Sequence, residues 1–181
     1  DKITHIKNDA FKGCISLKTL NTVAVQEVGS NAFKGCTALE QVNLALVSTI
    51  EAGTFSGCRS LKTINSTTAL REIKDNAFEN CVSLKEISLS HVNSALGAYA
   101  FYNCTSLATT GMMASIPAIG DYAFYNCDAL ESADLTSAAT LGNGCFYSCD
   151  KLKEVKTGIS LRTIPANAFE DCRALATIDL K

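Results

Sequence analysis

Asn31-Ala32-Phe33-Lys34-Gly35-Cys36-Thr37-Ala38-Leu39 decides how this chain folds, because its skeleton keeps returning. Reduced to Phe-x-x-Cys-x-x-Leu, the stretch occurs eight times and accounts for every Phe in the chain: Phe11, Phe33, Phe55, Phe78, Phe101, Phe124, Phe146 and Phe169. Three residues on stand Cys14, Cys36, Cys58, Cys81, Cys104, Cys127, Cys149 and Cys172. Three further on stand Leu17, Leu39, Leu61, Leu84, Leu107, Leu130, Leu152 and Leu175. Successive cysteines lie 22 or 23 residues apart, so each period is one structural unit stacked on the next.

From each of these leucines the chain follows Leu-x-x-Leu-x-Leu spacing. Examples are Leu39-x-x-Val42-x-Leu44 and Leu84-x-x-Ile87-x-Leu89, with Leu107-x-x-Thr110-x-Met112 and Leu130-x-x-Ala133-x-Leu135 as weaker versions. Period-two alternation predicts a short strand with one buried face, paired in parallel with its neighbours about 4.8 Å away. A second apolar pair brings the chain back across the core: Ile3/Ile6, Val25/Val28, Val47/Ile50, Leu70/Ile73, Ile116/Ile119 and Leu161/Ile164. The fifth coil offers only Leu96 and the seventh Ala138 and Leu141. Ala, Phe, Cys and Leu at i, i+1, i+4 and i+7 form one apolar stripe, which predicts a short helical turn capped by Asn31, Asn76 or Asn167. Extra residues near Thr67 and Ser115 fall in the loop between strand and return. The fold expected over 1–181 is a single leucine-rich-repeat solenoid, a right-handed coil of eight repeats. A parallel β-sheet lines its concave face, and short helical or irregular segments its convex face. Ile3 and Ile6 at one end, and Ile178 and Leu180 at the other, leave the terminal coils without a polar cap. The expectation is a piece of a longer array, or end-to-end contact through those coils.

Bulk properties narrow the function. A net charge of −2 and a pI near 5.7 give no electrostatic footprint for nucleic acid, and no apolar run is long enough to insert in a membrane. Asp1-Lys2-Ile3-Thr4 is not a signal peptide. Nine cysteines in phase with Phe and Leu read as buried free thiols, one per coil, rather than disulfides or a metal site; no Cys-x-x-Cys occurs, and Cys145 takes a small-residue slot. His5 and His91 stand four coils apart, roughly 20 Å, so no catalytic arrangement forms around either. The expectation is no enzyme, no catalytic residue, no metal and no cofactor.

Ile119-Gly120-Asp121-Tyr122-Ala123-Phe124-Tyr125-Asn126-Cys127 closely resembles the repeat of the BspA-like (Treponema pallidum type) leucine-rich-repeat family. The resemblance runs from Ile3 to Leu180, with Thr54 and Cys145 in place of Ala as mild departures. It implies a cell-surface or secreted adhesion protein, without naming a ligand. The free thiols point the other way, toward a reducing compartment and an intracellular structural scaffold in a larger assembly.

Side chains alternating with the buried strand residues face outward. They form a polar, mostly uncharged strip of Thr19, Asn21, Gln41, Asn43, Thr63, Asn65, Glu86, Ser88, Thr109 and Asp134, fitted to a protein or glycan ligand. Asn21, Asn43 and Asn65 are placed to stack as an amide ladder. All five tyrosines, Tyr99, Tyr102, Tyr122, Tyr125 and Tyr147, fall in coils five to seven as a secondary aromatic patch. Asn65-Ser66-Thr67 and Asn103-Cys104-Thr105 match the N-glycosylation pattern, although a buried Cys104 makes Asn103 a poor acceptor.

Overall fold

The structure, a computed structural model, describes residues 2–65, 69–111, 113 and 115–181. Thr67 and Met112, which the spacing assigns to the loop and the strand, lie outside the described residues, as does Ser66. Coils are numbered here by their phenylalanine, from Phe11 to Phe169.

The chain is a parallel β-solenoid with two columns of short strands. The second apolar pair builds one column: β1 (His5–Ile6), β2 (Glu27–Val28), β4 (Thr49–Ile50), β6 (Glu72–Ile73), β7 (Ala118–Ile119) and β9 (Thr140–Leu141). The segment after each Leu builds the other: β3 (Gln41–Asn43), β5 (Thr63–Asn65), β8 (Ser132–Leu135), β10 (Glu154–Thr157) and β11 (Thr177–Asp179). Every pairing is parallel: β1–β2, β4–β6 and β7–β9 in the first column, β3–β5 and β8–β10–β11 in the second. Single bridges, Glu86–Thr109 and Leu96–Ile119, continue the columns through the fourth to sixth coils. The returning apolar pair is therefore a strand, not only a core filler. In the fifth coil Val92 joins Leu96 in the core, so that coil also has a pair.

The third side of each coil departs from the expected helix. Among the described residues there is no helix; the Asn-Ala-Phe segment is a run of turns. Its backbone alternates. The N–H groups of Asn31, Phe33 and Gly35 donate to the carbonyls of Ala52, Thr54 and Ser56 one coil on, at 2.8–2.9 Å. Those of Ala32, Lys34 and Cys36 donate within the coil, to Gly29, Asn31 and Phe33. This alternation requires left-handed backbone two residues before and two after each Phe. All eight coils have it: φ is +54° at Asn31 and +74° at Gly35, and likewise at Asn76 and Asn80, at Asn167 and Asp171. Asn31, Asn76 and Asn167 are thus left-handed turn residues rather than helix caps. Gly, Asn and Asp suit them because other side chains clash there.

That turn segment stacks the phenylalanines. Consecutive rings lie 5.1–5.5 Å apart, tilted by 2–10°, from Phe11 through Phe169. Carbon atoms touch at about 3.5–4.0 Å, so near-parallel rings at this separation are slid sideways into the offset geometry aromatic pairs prefer. Phe33 to Phe146 are fully buried, with Leu39, Leu61, Leu84, Leu107, Leu130 and Leu152 around them. Phe11, Phe169, Leu17 and Leu175 in the end coils are only partly buried. The departures from the repeat are satisfied locally: Thr54 donates to Glu51 O at 2.7 Å, and Cys145 is buried like the alanines it replaces.

Phe78→Ala is expected to cost about 3–5 kcal/mol in urea denaturation, since it empties a fully buried site flanked by stacked rings on both sides. Phe11→Ala, stacked on one side only, is expected to cost clearly less.

Candidate functional site

The strand strip is where the sequence places it. Thr19, Asn21, Gln41, Asn65, Glu86, Ser88 and Thr109 are exposed, and Asn43, Thr63 and Asp134 half-buried. Register brings them into two files: Gln41 lies opposite Thr63, Asn43 opposite Asn65, and Glu86 opposite Thr109. Ser132 and Asp134 lie opposite Glu154 and Lys156, extending both files. The files widen into an open depression of about 350 Å³, with Ile64 and Ile87 in its lining and Glu86, Ser88, Thr109 and Gly111 around them. It exists because Ser88 and Gly111 present little side chain where neighbouring coils present Asn or Asp.

Asn21, Asn43 and Asn65 do not form the expected ladder. Asn21 and Asn43 each accept, through Oδ1, the N–H two residues on, at Val23 and Ala45. Asp134 does the same to Thr136. These are Asx turns that end the strands, so the amides serve the chain's own backbone. A true amide ladder runs elsewhere: Asn126 Nδ2 donates to Asn103 Oδ1 at 2.6 Å, and Asn103 Nδ2 to Asn80 Oδ1 at 2.9 Å. Its signal was Phe-x-Asn in three consecutive coils. Because Asn103 is held in this ladder, the Asn103-Cys104-Thr105 match has no free amide to modify.

The tyrosines form one contiguous cluster beside that ladder. Tyr102, Tyr125 and Tyr147 stack at 4.7 and 5.0 Å, and Tyr99 stacks on Tyr122 at 5.3 Å. Tilted contacts of 5.6 Å (Tyr99–Tyr102) and 6.0 Å (Tyr122–Tyr125) join the two columns. Tyr99 and Tyr122 occupy left-handed positions, at φ +56° and +53°, where a bulky residue is a genuine outlier. The Tyr122 ring lies over Gly144, whose missing Cβ would fall 2.5 Å from its Cε1. Burial pushes the Tyr102 hydroxyl above its ordinary range, and the nearby Glu170 carboxylate does the same to Tyr147.

Two larger depressions, which the sequence did not reveal, lie along the other strand column. One of about 460 Å³ runs past Lys7, Asn8, Glu27 and Glu51, and one of about 380 Å³ past Glu72, Lys74, Asp75 and Ala98. Glycine causes both. A Cβ on Gly29 would meet Asn8 Oδ1 at 2.4 Å, and one on Gly97 would meet Asp75 N at 2.4 Å, so the backbones nearly touch and leave a furrow above. Lys74, from the wall of the second, pairs with Glu51, from the wall of the first, at 2.9 Å.

The model of the BspA type leucine rich repeat region matches residues 1–108 and 71–181, in six copies. The chain belongs to the BspA-type leucine-rich-repeat family. Among solved structures, the T. pallidum leucine rich repeat protein superposes with a TM-score of 0.56 at 28% identity, over 90% of this chain and 66% of that one. A leucine rich cell surface protein from Faecalibacterium prausnitzii A2-165 gives a TM-score of 0.59 at 20% identity, over 98% of this chain and 69% of that one. No curated protein matches the chain.

The cysteine of the BspA-type repeat has a physical job here. The Sγ of each repeat cysteine from Cys36 to Cys172, Cys145 not being one of them, donates to the carbonyl of a Phe: Cys58 to Phe33 O at 3.1 Å, Cys104 to Phe78 O at 3.1 Å, Cys149 to Phe124 O at 3.1 Å. That carbonyl already accepts the N–H of its own coil's Cys, so the thiol fills its second lone pair from the far side of the stack. Burial pushes the thiols of Cys58, Cys81, Cys104 and Cys127 well up, and that of Cys145 up to about 12. A thiol so held is a packing group, not a nucleophile. The ladder is not uniformly buried, however: Cys14, in the first coil described, is exposed, and Cys172, in the eighth, is intermediate. His5 and His91 are surface residues, bonded to Thr4 and Ser90 respectively.

Raised thiol pKa values make stability fall with alkali. The unfolded thiol ionises near 9 while the folded one stays protonated, so the stabilisation is complete below pH 9. It drains away as pH climbs toward the folded value, by about 1.4 kcal/mol per pH unit for each such thiol. Urea midpoints measured from pH 8 to 11 are expected to drop steeply above 9, and less steeply in a Cys104→Val, Cys127→Val double variant.

Proposed function

We propose that this chain is a non-enzymatic recognition module of a cell-surface or secreted repeat protein, and that it holds a protein or glycan ligand against the strand strip. The observation carrying the proposal is the strip itself. Two in-register files of small polar side chains run along stacked coils and open, midway, into a depression combining the apolar Ile64 and Ile87 with Glu86, Ser88 and Thr109. The two isoleucines are core residues that floor the depression with little exposed area, so the placed hydroxyls and carboxylate supply most of the contact and its orientation. Repetition at the coil spacing suits a ligand that is itself extended. The similarity to a leucine rich cell surface protein fits the surface location. Cysteines committed to Phe carbonyls and histidines spent on surface contacts fit a scaffold that binds rather than reacts.

The reading is tested on arrayed purified glycans and immobilised extracellular-matrix proteins. Ser88→Arg and Thr109→Arg, which fill the depression, are expected to weaken binding at least tenfold while the unfolding midpoint stays put. Ala139→Arg, exposed on the other strand column, is expected to change neither. Binding that survives both strip variants would move the ligand off this face.

A further inference from the structure

The turn face carries a charge asymmetry that the bulk composition conceals. Consider the six residues from three before each Phe to two after it. In coils four to eight these segments contain Asp75, Glu79, Asp121, Glu170 and Asp171, all five tyrosines, and no Lys or Arg. In coils one to three the same segments contain Lys12 and Lys34 against Asp9 alone. The whole chain is nearly balanced, with 16 bases and 18 acids, so five uncompensated acids on one face stand out.

The hydrogen-bond donors to these acids are neutral: backbone amides of Ala98 and Asn143 for Asp75 and Asp121, and side chains for Glu79 and Glu170. Among the described residues, lysines and arginines pair with Asp9, Glu40, Glu51, Glu131, Asp150, Glu154 and Asp179, with none of the five on this face, and also not with Glu72, Glu86, Asp128 or Asp134 elsewhere. Glu79 is held instead by neutral donors, the Ser56 hydroxyl at 3.1 Å and the amides of Asn76 and Asn80 at 3.3 Å. Asn167 donates to Glu170 in the same way. The arrangement fixes these carboxylates without neutralising them.

The tyrosine column ends on those two acids. Glu79 and Glu170 fill the slot one after Phe in the coils immediately before Tyr102 and after Tyr147. Within the column, Tyr125 is covered on both faces by its neighbours. Tyr102 and Tyr147 at the two ends each carry a ring on one side and the same-slot carboxylate, Glu79 or Glu170, on the other, so each end offers ring edge and acid together. An aromatic ring beside a fixed carboxylate is a seat for a guanidinium or ammonium group, which packs against the ring and pairs with the acid. A sugar, which would lay its ring on an aromatic face without needing charge, has little reason to prefer this site. Tyr99 and Tyr122 add weight, since both sit where Asp, Asn or Gly serves the other coils and the fold alone does not call for them.

We propose that the five-tyrosine cluster and its frame of unpaired carboxylates form a docking surface for an arginine- or lysine-bearing segment of a partner protein, distinct from the strand strip.

The probe is a fluorescein-labelled nona-arginine peptide, read by anisotropy at low salt, with a Gly-Ser peptide and chitohexaose as comparisons. The expected result is saturable binding of the arginine peptide, at least tenfold tighter than either comparison and weakened steeply by salt. Glu79→Gln with Glu170→Gln, which keeps side-chain shape while removing charge, is expected to lower affinity about tenfold. Tyr99→Asn with Tyr122→Asn restores residues suited to left-handed backbone, so it should fold at least as well and yet bind several-fold more weakly. Ser88→Arg on the strip should leave the peptide affinity unchanged, separating this surface from the other. Equal binding by the wild type and both double variants, a preference for chitohexaose, or no binding of the arginine peptide would each overturn the proposal.

Discussion

Everything in this solenoid depends on the phenylalanine amide finding a carbonyl in the next coil. The Phe33 N–H reaches Thr54 O, the Phe78 N–H reaches Ala100 O, and the same step repeats along the rod. The bond is possible only because the residues two before and two after each Phe turn left-handed, which swings alternate peptide groups out of the coil. With those peptides fixed, successive rings must overlap, and the Phe carbonyl has a lone pair left facing the next cysteine. Backbone turn, ring stack and thiol ladder are one device seen three ways. It gives each coil a face that only another copy of itself can cover, so stability accumulates through nearest neighbours.

The core was legible in the sequence because Phe, Cys and Leu are all read by the same interior. The local backbone was not. Ala32, Phe33, Cys36 and Leu39 fit a helical stripe, and Asn31 fits a helix cap, so spacing alone could not tell a turn of helix from a turn ladder. The distinction was present in the slots two before and two after Phe, where Asn31, Gly53 and Asn76, and Gly35, Gly57, Asn80, Asn103 and Asn126, follow one another. Residues that share little besides tolerance of left-handed backbone imply that backbone. Tyr99, Tyr122 and Ser148 interrupt the run and obscure it. The second strand column was hidden for another reason: strands of two residues, such as His5–Ile6, are too short to show alternation.

Outward-facing residues were placed correctly wherever strand alternation governs them, as at Gln41, Thr63 and Glu86. Their bonding was not legible, because an asparagine on a strand face has two competing uses. Asn43 closes its own turn, whereas Asn103 reaches across coils, and only the backbone around each decides. The furrows above Gly29 and Gly97 follow from how closely two backbones approach, a quantity no single-coil pattern contains. The tyrosines were visible as a cluster from their slots. Their setting was not, since Glu79 and Glu170, the carboxylates at the ends of the ring column, come from coils outside the three that carry the rings. Holding Tyr99 and Tyr122 in left-handed backbone costs about 1–2 kcal/mol each by ordinary sterics, an expense the stacked neighbours must offset.

Deleting one period tests the account most directly. Removing residues 80–102 joins Glu79 to Asn103, keeps Phe78 three residues before Cys104, and restores every later coil to its place in the stack. The shortened chain should unfold in one cooperative urea transition, with an m-value and stability reduced in rough proportion to one coil lost. Removing residues 80–91 instead breaks the phase at one junction, so the Phe78 amide loses the Ala100 carbonyl while the coils on either side can stack only among themselves, and a broad or two-step transition should result. Equal cooperativity in the two deletions would contradict the claim that in-register coil-to-coil bonding holds this structure together.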